Sequence, residues 1–217
     1  TIKAGIQLKS PHDISFIETG AGLNDMSILE KTEEVLKKHG HQMSYKNQVL
    51  LLKAKNSDKP AGKNPKRPYS NPNTQDFYIM SNSDYNALAE QFKKEKVNLA
   101  QGETFVNSYE IVVVGAEDEK IFSGNDYLTL IINGEPNKLK LTGEMIGGVV
   151  SRDKNKTNIA VVNDADFARY KAAAPKEEQI MYYGYNIKDW EKSADAVREI
   201  AAMVPQNENI YFSQKVT

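Results

Sequence analysis

Between residues 53 and 72 the chain cannot hold a regular element. Four prolines (Pro60, Pro65, Pro68 and Pro72) each fix φ and remove an amide donor, and a glycine with several Asn, Ser and Lys residues fills the gaps. A long exposed loop is expected there, with regular structure on both sides of it. The same stretch carries Lys53, Lys55, Lys59, Lys63, Lys66 and Arg67 against a single Asp58. Its prolines limit collapse and keep those charges extended, which suits contact with an anionic partner or screening of an entry path; a solvated linker kept soluble by lysine is the plainer alternative.

At 217 residues the chain can bury a substantial core, and one composite domain over 1–217, in one lobe or two, is expected. Hydrophobic residues at 40% and charged residues at 26% exclude wholesale disorder. The net charge of −1 excludes a whole-molecule field that draws nucleic acid or anionic lipid, so any charge effect must be local. Absence of cysteine removes disulfides and thiolate chemistry together, and is compatible with an exported Gram-positive segment. The chain starts at Thr1 without an initiator methionine and ends on strand-like Ile210 to Ser213, which reads as a piece of a longer polypeptide.

The periodicities predict an α+β fold: mixed sheets with about four helices packed on them. Residues 12–18 read as a strand with Ile14 and Phe16 on one face. Ser27 to Glu30 has the S-x-x-E capping form, and the helix it opens is expected to stop at a left-handed Gly40. Strands follow at 43–53 and 76–80, then a helix from an N-cap at Ser83 through Lys96. Further strands are expected at 109–115, 127–133, 138–142 and 159–162, with Gly134-Glu135-Pro136 closing a hairpin by a turn longer than two residues. A helix over 164–174 is stopped by Pro175, 179–185 is extended, a last helix spans 188–204, and 210–213 closes as a strand. Residues 78–85 and 160–167 share a strand, a polar cap and an aromatic-led helix, either an ancient duplication or two junctions that chose similar caps.

Catalytic signatures are thin. Gly20-Ala21-Gly22 resembles a dinucleotide-binding turn, but Asp25 stands where the third glycine belongs, so a nucleotide-binding enzyme built on Gly20 to Asp25 ranks behind the non-catalytic readings. The 143–148 stretch lacks the Lys-Ser/Thr ending of a phosphate loop. His39 and His41 offer two ligands without a third, so no metal and no cofactor is expected. Glu117-Asp118-Glu119 and Glu177-Glu178 fall in turns, as solvated charge ordinarily does. Tyr182, Tyr183, Tyr185 and Trp190 cluster around Gly184. Alternation puts Tyr183 and Tyr185 on one face, where they either pack in the core or face a ligand. RNA binding is disfavoured, because the basic loop offers only Tyr69 for stacking.

Residues 158–166, then Tyr182-Tyr183-Gly184-Tyr185-Asn186-Ile187-Lys188-Asp189-Trp190, together with the placement of the lysine- and proline-rich insertion, resemble the large extracellular domain of the bacitracin-exporter-type ABC transporter permeases, the BceB and VraG group of Firmicutes. The insertion is similar to the guard loop of the staphylococcal VraG members. The resemblance implies a non-catalytic, outward-facing domain set between transmembrane helices of the cell membrane. It further implies a cytoplasmic ATP-binding subunit, a sensor histidine kinase of a two-component system, and a role in detecting antimicrobial peptides, or their lipid-linked cell-wall complexes, and in antibiotic resistance. A stand-alone secreted or surface-anchored binding protein is the competing class.

Overall fold

One strand of 14 residues, β2 (Met43–Asn56), organises the fold by pairing on both of its edges. The computed structural model describes residues 11–19, 27–58, 75–108, 120–122, 124–150, 157–203 and 209–212. Around β2 the chain runs β1 (Ile14–Thr19), α1 (Ser27–Lys38), β3 (Asp76–Ser81), α2 (Asn82–Gln91), β4 (Glu103–Ser108), β5 (Tyr127–Ile132) and β6 (Glu135–Ile146). It continues through β7 (Asn158–Val162), α3 (Asp164–Ala173), β8 (Gln179–Ile187), α4 (Ala194–Met203) and β9 (Asn209–Phe212). This is the α+β class expected, a nine-stranded mixed sheet with four α-helices among the described residues.

The N-terminal part of β2 pairs with β8, and β8 passes the sheet on to β1 and β9. Its C-terminal part pairs with β3 on one edge and β5 on the other, since Lys55 lies opposite both Asp76 and Ile131. From β3 the pairings continue through β7, β4 and β6 to β5, so these six strands close into a barrel. Closure removes the unpaired edges that an open sheet would expose.

Alternation along each strand sorts the core. Leu52, Ala54, Phe77, Ile79, Val106, Leu128, Leu130, Leu139, Ala160 and Val162 fill the barrel, joined by Phe167 and Tyr170 of α3. On the outer side of the β3–β7–β4 wall, Met80, Phe105, Ile159 and Val161 lie beneath Tyr85, Leu88 and Ala89 of α2. The β8–β1 wing buries Ile14, Phe16, Tyr183 and Tyr185 under Leu29, Val35 and Leu36 of α1 and Ala196 and Ile200 of α4. Phe122, fully buried, seats against Phe77 inside the barrel with ring centroids 5.5 Å apart. The buried Glu144 carboxylate holds it there, accepting from the Phe122 amide at 2.8 Å, the Ile121 amide at 3.2 Å and the Ser108 hydroxyl at 2.6 Å. Those donors replace the water that a buried carboxylate would otherwise need.

Several boundaries differ from expectation for identifiable reasons. α1 ends as expected, with Gly40 at φ +75° and the amides of Gly40 and His41 donating to Lys37 and Leu36. The cap of α2 is Ser81, two residues before Ser83, and its hydroxyl accepts from the Asp84 amide. That helix stops at Gln91 instead of Lys96, because Lys93 takes φ +55° and the Lys94 amide turns back to Ala89. The β5–β6 turn is a two-residue Asn133-Gly134 turn with φ +53° and +81°, not a longer one. Pro136 therefore lies inside β6, opposite Ile131 at a position whose missing amide costs no bond to β5. The last helix begins at Ala194, with Trp190 in a preceding 3₁₀ turn. The strand expected at 109–115 falls outside the described residues, and β4 occupies Glu103–Ser108 just before it.

The two echoed strand–helix units lie side by side. β3 and β7 are parallel neighbours, each leading directly into its helix, and the Ser83 amide donates to the Asp164 carboxylate at 2.9 Å across the two caps. Their helices diverge, α2 packing outside the barrel and α3 contributing to its interior.

Gly184 is required for a steric reason. A Cβ there would overlap the His12 ring, which is itself fully buried and stands edge-on to Phe92, ring centroids 5.0 Å apart. The Asn47 amide donates to His12 Nε2 at 2.9 Å, leaving the proton on Nδ1 for the Tyr182 hydroxyl 2.7 Å away. Burial lowers the His12 pKa from 6.5 to about 3. Gly184→Ala is expected to lower the unfolding free energy by about 1–3 kcal/mol, read from the urea midpoint. Between pH 3 and 6.5 the unfolded chain binds the extra proton, so His12's contribution is complete above pH 6.5 and lost as pH falls. From pH 7 to pH 5 it should remove about 2 kcal/mol, a slope that His12→Gln flattens.

Candidate functional site

The end of β2 carries the first two residues of the basic stretch. β2 continues past Lys53, where the loop is expected to begin, to Asn56, so Lys55 joins Lys53 in the strand, and both face outward while Leu52 and Ala54 point into the barrel. Regular pairing extends this far because Ala54 and Leu52 gain burial inside the closing barrel, and Lys53 and Lys55 lose nothing by staying in water. Lys53 lies opposite Tyr78, and Lys55 lies between Asp76 and Ile131. These side chains border a cleft of about 530 Å³ whose far wall is Asn133, Pro175 and Glu178. The Lys53 ammonium donates to the Glu177 carbonyl at 2.9 Å. Beyond β2 the chain is fastened: the Asp58 carboxylate accepts from the Thr129 amide, and Asn56 and Asp58 exchange bonds at 2.9 and 3.0 Å. The acidic residue that interrupts the basic stretch thus ties the end of β2 to β5. Lys59, Lys63, Lys66 and Arg67 lie outside the described residues, as do Gly20 to Asp25 and Glu117 to Glu119.

Chemically the cleft offers two ammonium groups, two carboxylates and the flanks of Tyr78, Ile131 and Pro175. Such a mixed lining can hold a charged, partly apolar segment by many weak contacts. The neighbours Asp76, Tyr78 and Ile131 were not legible as site residues, because only the strand register brings them beside the lysines.

The aromatic pair takes the core alternative. Tyr183 and Tyr185 are 2% and 0% exposed under α1 and α4, so neither faces a ligand from solvent. Tyr182, on the opposite side of β8, is buried beside Val49 and Leu51. The Tyr185 hydroxyl reaches the Glu33 carboxylate at 3.3 Å; burial, and then the Glu33 charge, push its pKa far up. Glu33 also pairs with Lys46. Beside it, Glu30 and Glu34 line a second, open cleft of about 650 Å³ along α1, with Lys37, His41 and Met43. His39 does not join His41. Its Nε2 meets Glu199 at 2.8 Å, and Lys38 meets the same carboxylate at 2.7 Å, which fastens α1 to α4 and holds the Glu199 pKa below the usual range. Among the described residues no group of three His, Asp or Glu is arranged to hold a metal.

No family model matches the chain. The uncharacterized ABC transporter permease YvcS of Bacillus subtilis (strain 168) is 21% identical over 212 residues, covering 94% of this chain and 30% of the permease. The chain therefore spans about a third of the length of that relative. Among solved structures, the crystal structure of a predicted lipoprotein from Bacillus anthracis shares the fold, with a TM-score of 0.51 and 13% identity over 93% of this chain and 97% of that one. Among the described residues no helix is long and apolar enough to cross a membrane.

The fastening by Asp58 is testable apart from any ligand. Asp58→Ala leaves the Thr129 amide without its carboxylate and should cost about 1–2 kcal/mol in chemical denaturation. Lys55→Gln, on the exposed side of the same strand, should stay within about 0.5 kcal/mol of the parent.

Proposed function

We propose that this chain is a single extracellular recognition domain of an ABC transporter permease in the cell membrane of a Gram-positive bacterium, of the antimicrobial-peptide-sensing kind, nearest to the VraG members of that group. The observation that carries the reading is the lopsided coverage: 94% of this chain aligns with only 30% of a permease, as expected of one domain within a larger transport subunit. In this reading ATP hydrolysis belongs to a separate cytoplasmic subunit, and the domain itself recognises without catalysis. Its partners are the transmembrane remainder of the permease, the ATP-binding subunit, a sensor histidine kinase, and an antimicrobial peptide or its lipid-linked cell-wall complex.

The working part is the basic set Lys53, Lys55, Lys59, Lys63, Lys66 and Arg67. A cationic peptide is not drawn to such a set, so the set acts by guarding and docking: it repels or positions the peptide and engages an acidic segment of the kinase. Support comes from Lys53 and Lys55, held outward on a rigid strand at the lip of a cleft. Each exposed pair is worth only about 0.2–1 kcal/mol, so the effect is collective.

Neutralising the six basic residues stepwise in the full permease should reduce kinase-dependent induction by cationic peptide in graded fashion. Unchanged induction with unchanged resistance in the sixfold variant would contradict the reading. A parent gene with no membrane-spanning segments flanking this stretch would instead favour a free-standing binding protein.

A further inference from the structure

One wall of the barrel is left without a covering helix among the described residues. α2 lies over the β3–β7–β4 wall, α3 joins the barrel interior, and α1 with α4 covers the β8–β1 wing. The remaining outer surface belongs to the end of β2, to β5 and to β6. Along its middle, on β5, run Tyr127 and Ile131, 48% and 37% exposed, which are two of the five large hydrophobic side chains that stand exposed among the described residues. Lysines border this apolar stripe on both sides. Lys55 is opposite Ile131 on β2 with Lys53 beside it, while on β6 Lys140 is opposite Tyr127 and Lys138 is opposite Thr129. The Lys138 ammonium stands 4.5 Å from the centroid of the Tyr127 ring. Carboxylates share the wall as well: Asp76 opposite Lys55, Glu103 paired with Lys140 at 3.1 Å, Asp58 bonded to the Thr129 amide, and Glu178 across the cleft from Lys53.

We propose that this wall is a docking surface for an anionic lipid bilayer, with Tyr127 and Ile131 entering the headgroup layer and the lysines on either side reaching lipid phosphates. Tyrosine and isoleucine flanked by lysine is the composition that suits such an interface: the aromatic ring sits at headgroup depth, and the lysine stems lie along apolar surface while their ammonium groups stay in the polar layer. Along the Tyr127 stripe, where Lys138 and Lys140 are central and Lys53 and Lys55 lie at the rim, a protein partner fits less well, because lysine is depleted from the centres of protein interfaces. Lysine is also a point charge suited to diffuse phosphates, without the forked geometry that reads a specific carboxylate. The chain's net charge of −1 makes the binding local to this face. Vesicle binding does not depend on the transport reading, which makes no use of Tyr127, Lys138 or Lys140.

The test is co-sedimentation of the 217-residue chain with phosphatidylcholine vesicles prepared with and without phosphatidylglycerol. Binding is expected only where phosphatidylglycerol is present, and it should weaken as salt rises. The Lys138→Gln, Lys140→Gln pair should weaken it by about fivefold to twenty-fivefold, at roughly fivefold per lysine with the Lys140 charge partly offset by Glu103. Tyr127→Ser with Ile131→Ser should also weaken it severalfold without changing the charge. Lys31→Gln with Lys192→Gln, the same charge change on other exposed surfaces, should stay within about twofold. The proposal is overturned by absence of binding, by equal binding to both vesicle types, by a control pair as damaging as the wall pair, or by equally tight binding to heparin, which would mark a generic polyanion surface.

Discussion

Everything in this fold depends on the two-edged pairing of β2. Its first nine or so residues make one edge of the β8–β1–β9 wing, and its last few are shared between β3 and β5, where the barrel closes. A strand of ordinary length could do one or the other. At 14 residues β2 does both, so a register slip would turn Leu52 and Ala54 out of the barrel and Val49 and Leu51 out from beneath α2 together. The outward position of Lys53 and Lys55 is a by-product of that register. Their placement is as rigid as the core beneath them.

Buried polar groups specify the details that apolar packing leaves open. Glu144 gathers three donors and so selects one seat for Phe122 inside the barrel. His12 fills the space that Gly184 leaves empty and ties the chain ahead of β1 to β8 and β2 through Tyr182 and Asn47. Such satisfied polar contacts contribute modest net stability, but leaving any of them unpaired is costly, and this asymmetry favours one arrangement over its competitors.

Much of the architecture was legible because local chemistry and burial agreed. The S-x-x-E start and Gly40 stop of α1, the strand–cap–helix pattern repeated at β3–α2 and β7–α3, and the alternation of Tyr182 against Tyr183 and Tyr185 all follow from periodicity and capping. β4 was missed for a physical reason: Thr104, Asn107 and Ser108 look like loop residues, yet they are buried and hydrogen-bonded to Val161, Gly147 and Glu144. The Asn133-Gly134 turn was passed over in favour of Pro136, whose edge-facing position in β6 makes it harmless. Of the candidate site, the charges were visible but their setting was not. Composition ended the strand at Lys53 and marked Lys55 as a loop residue, whereas barrel closure carries the strand on to Asn56, and the neighbours that give the cleft its chemistry come from three other parts of the chain.

The proposed role turns on whether the lip of that cleft meets a partner when peptide arrives. A photo-crosslinking residue placed at Lys55, and separately at Lys31 on the exposed side of α1, in the full permease within intact membranes tests this most directly. The account predicts that the Lys55 position captures the sensor kinase in a manner that changes on addition of cationic peptide, while the Lys31 position does not. Capture that is absent at Lys55, or equal at both positions and indifferent to peptide, would contradict it.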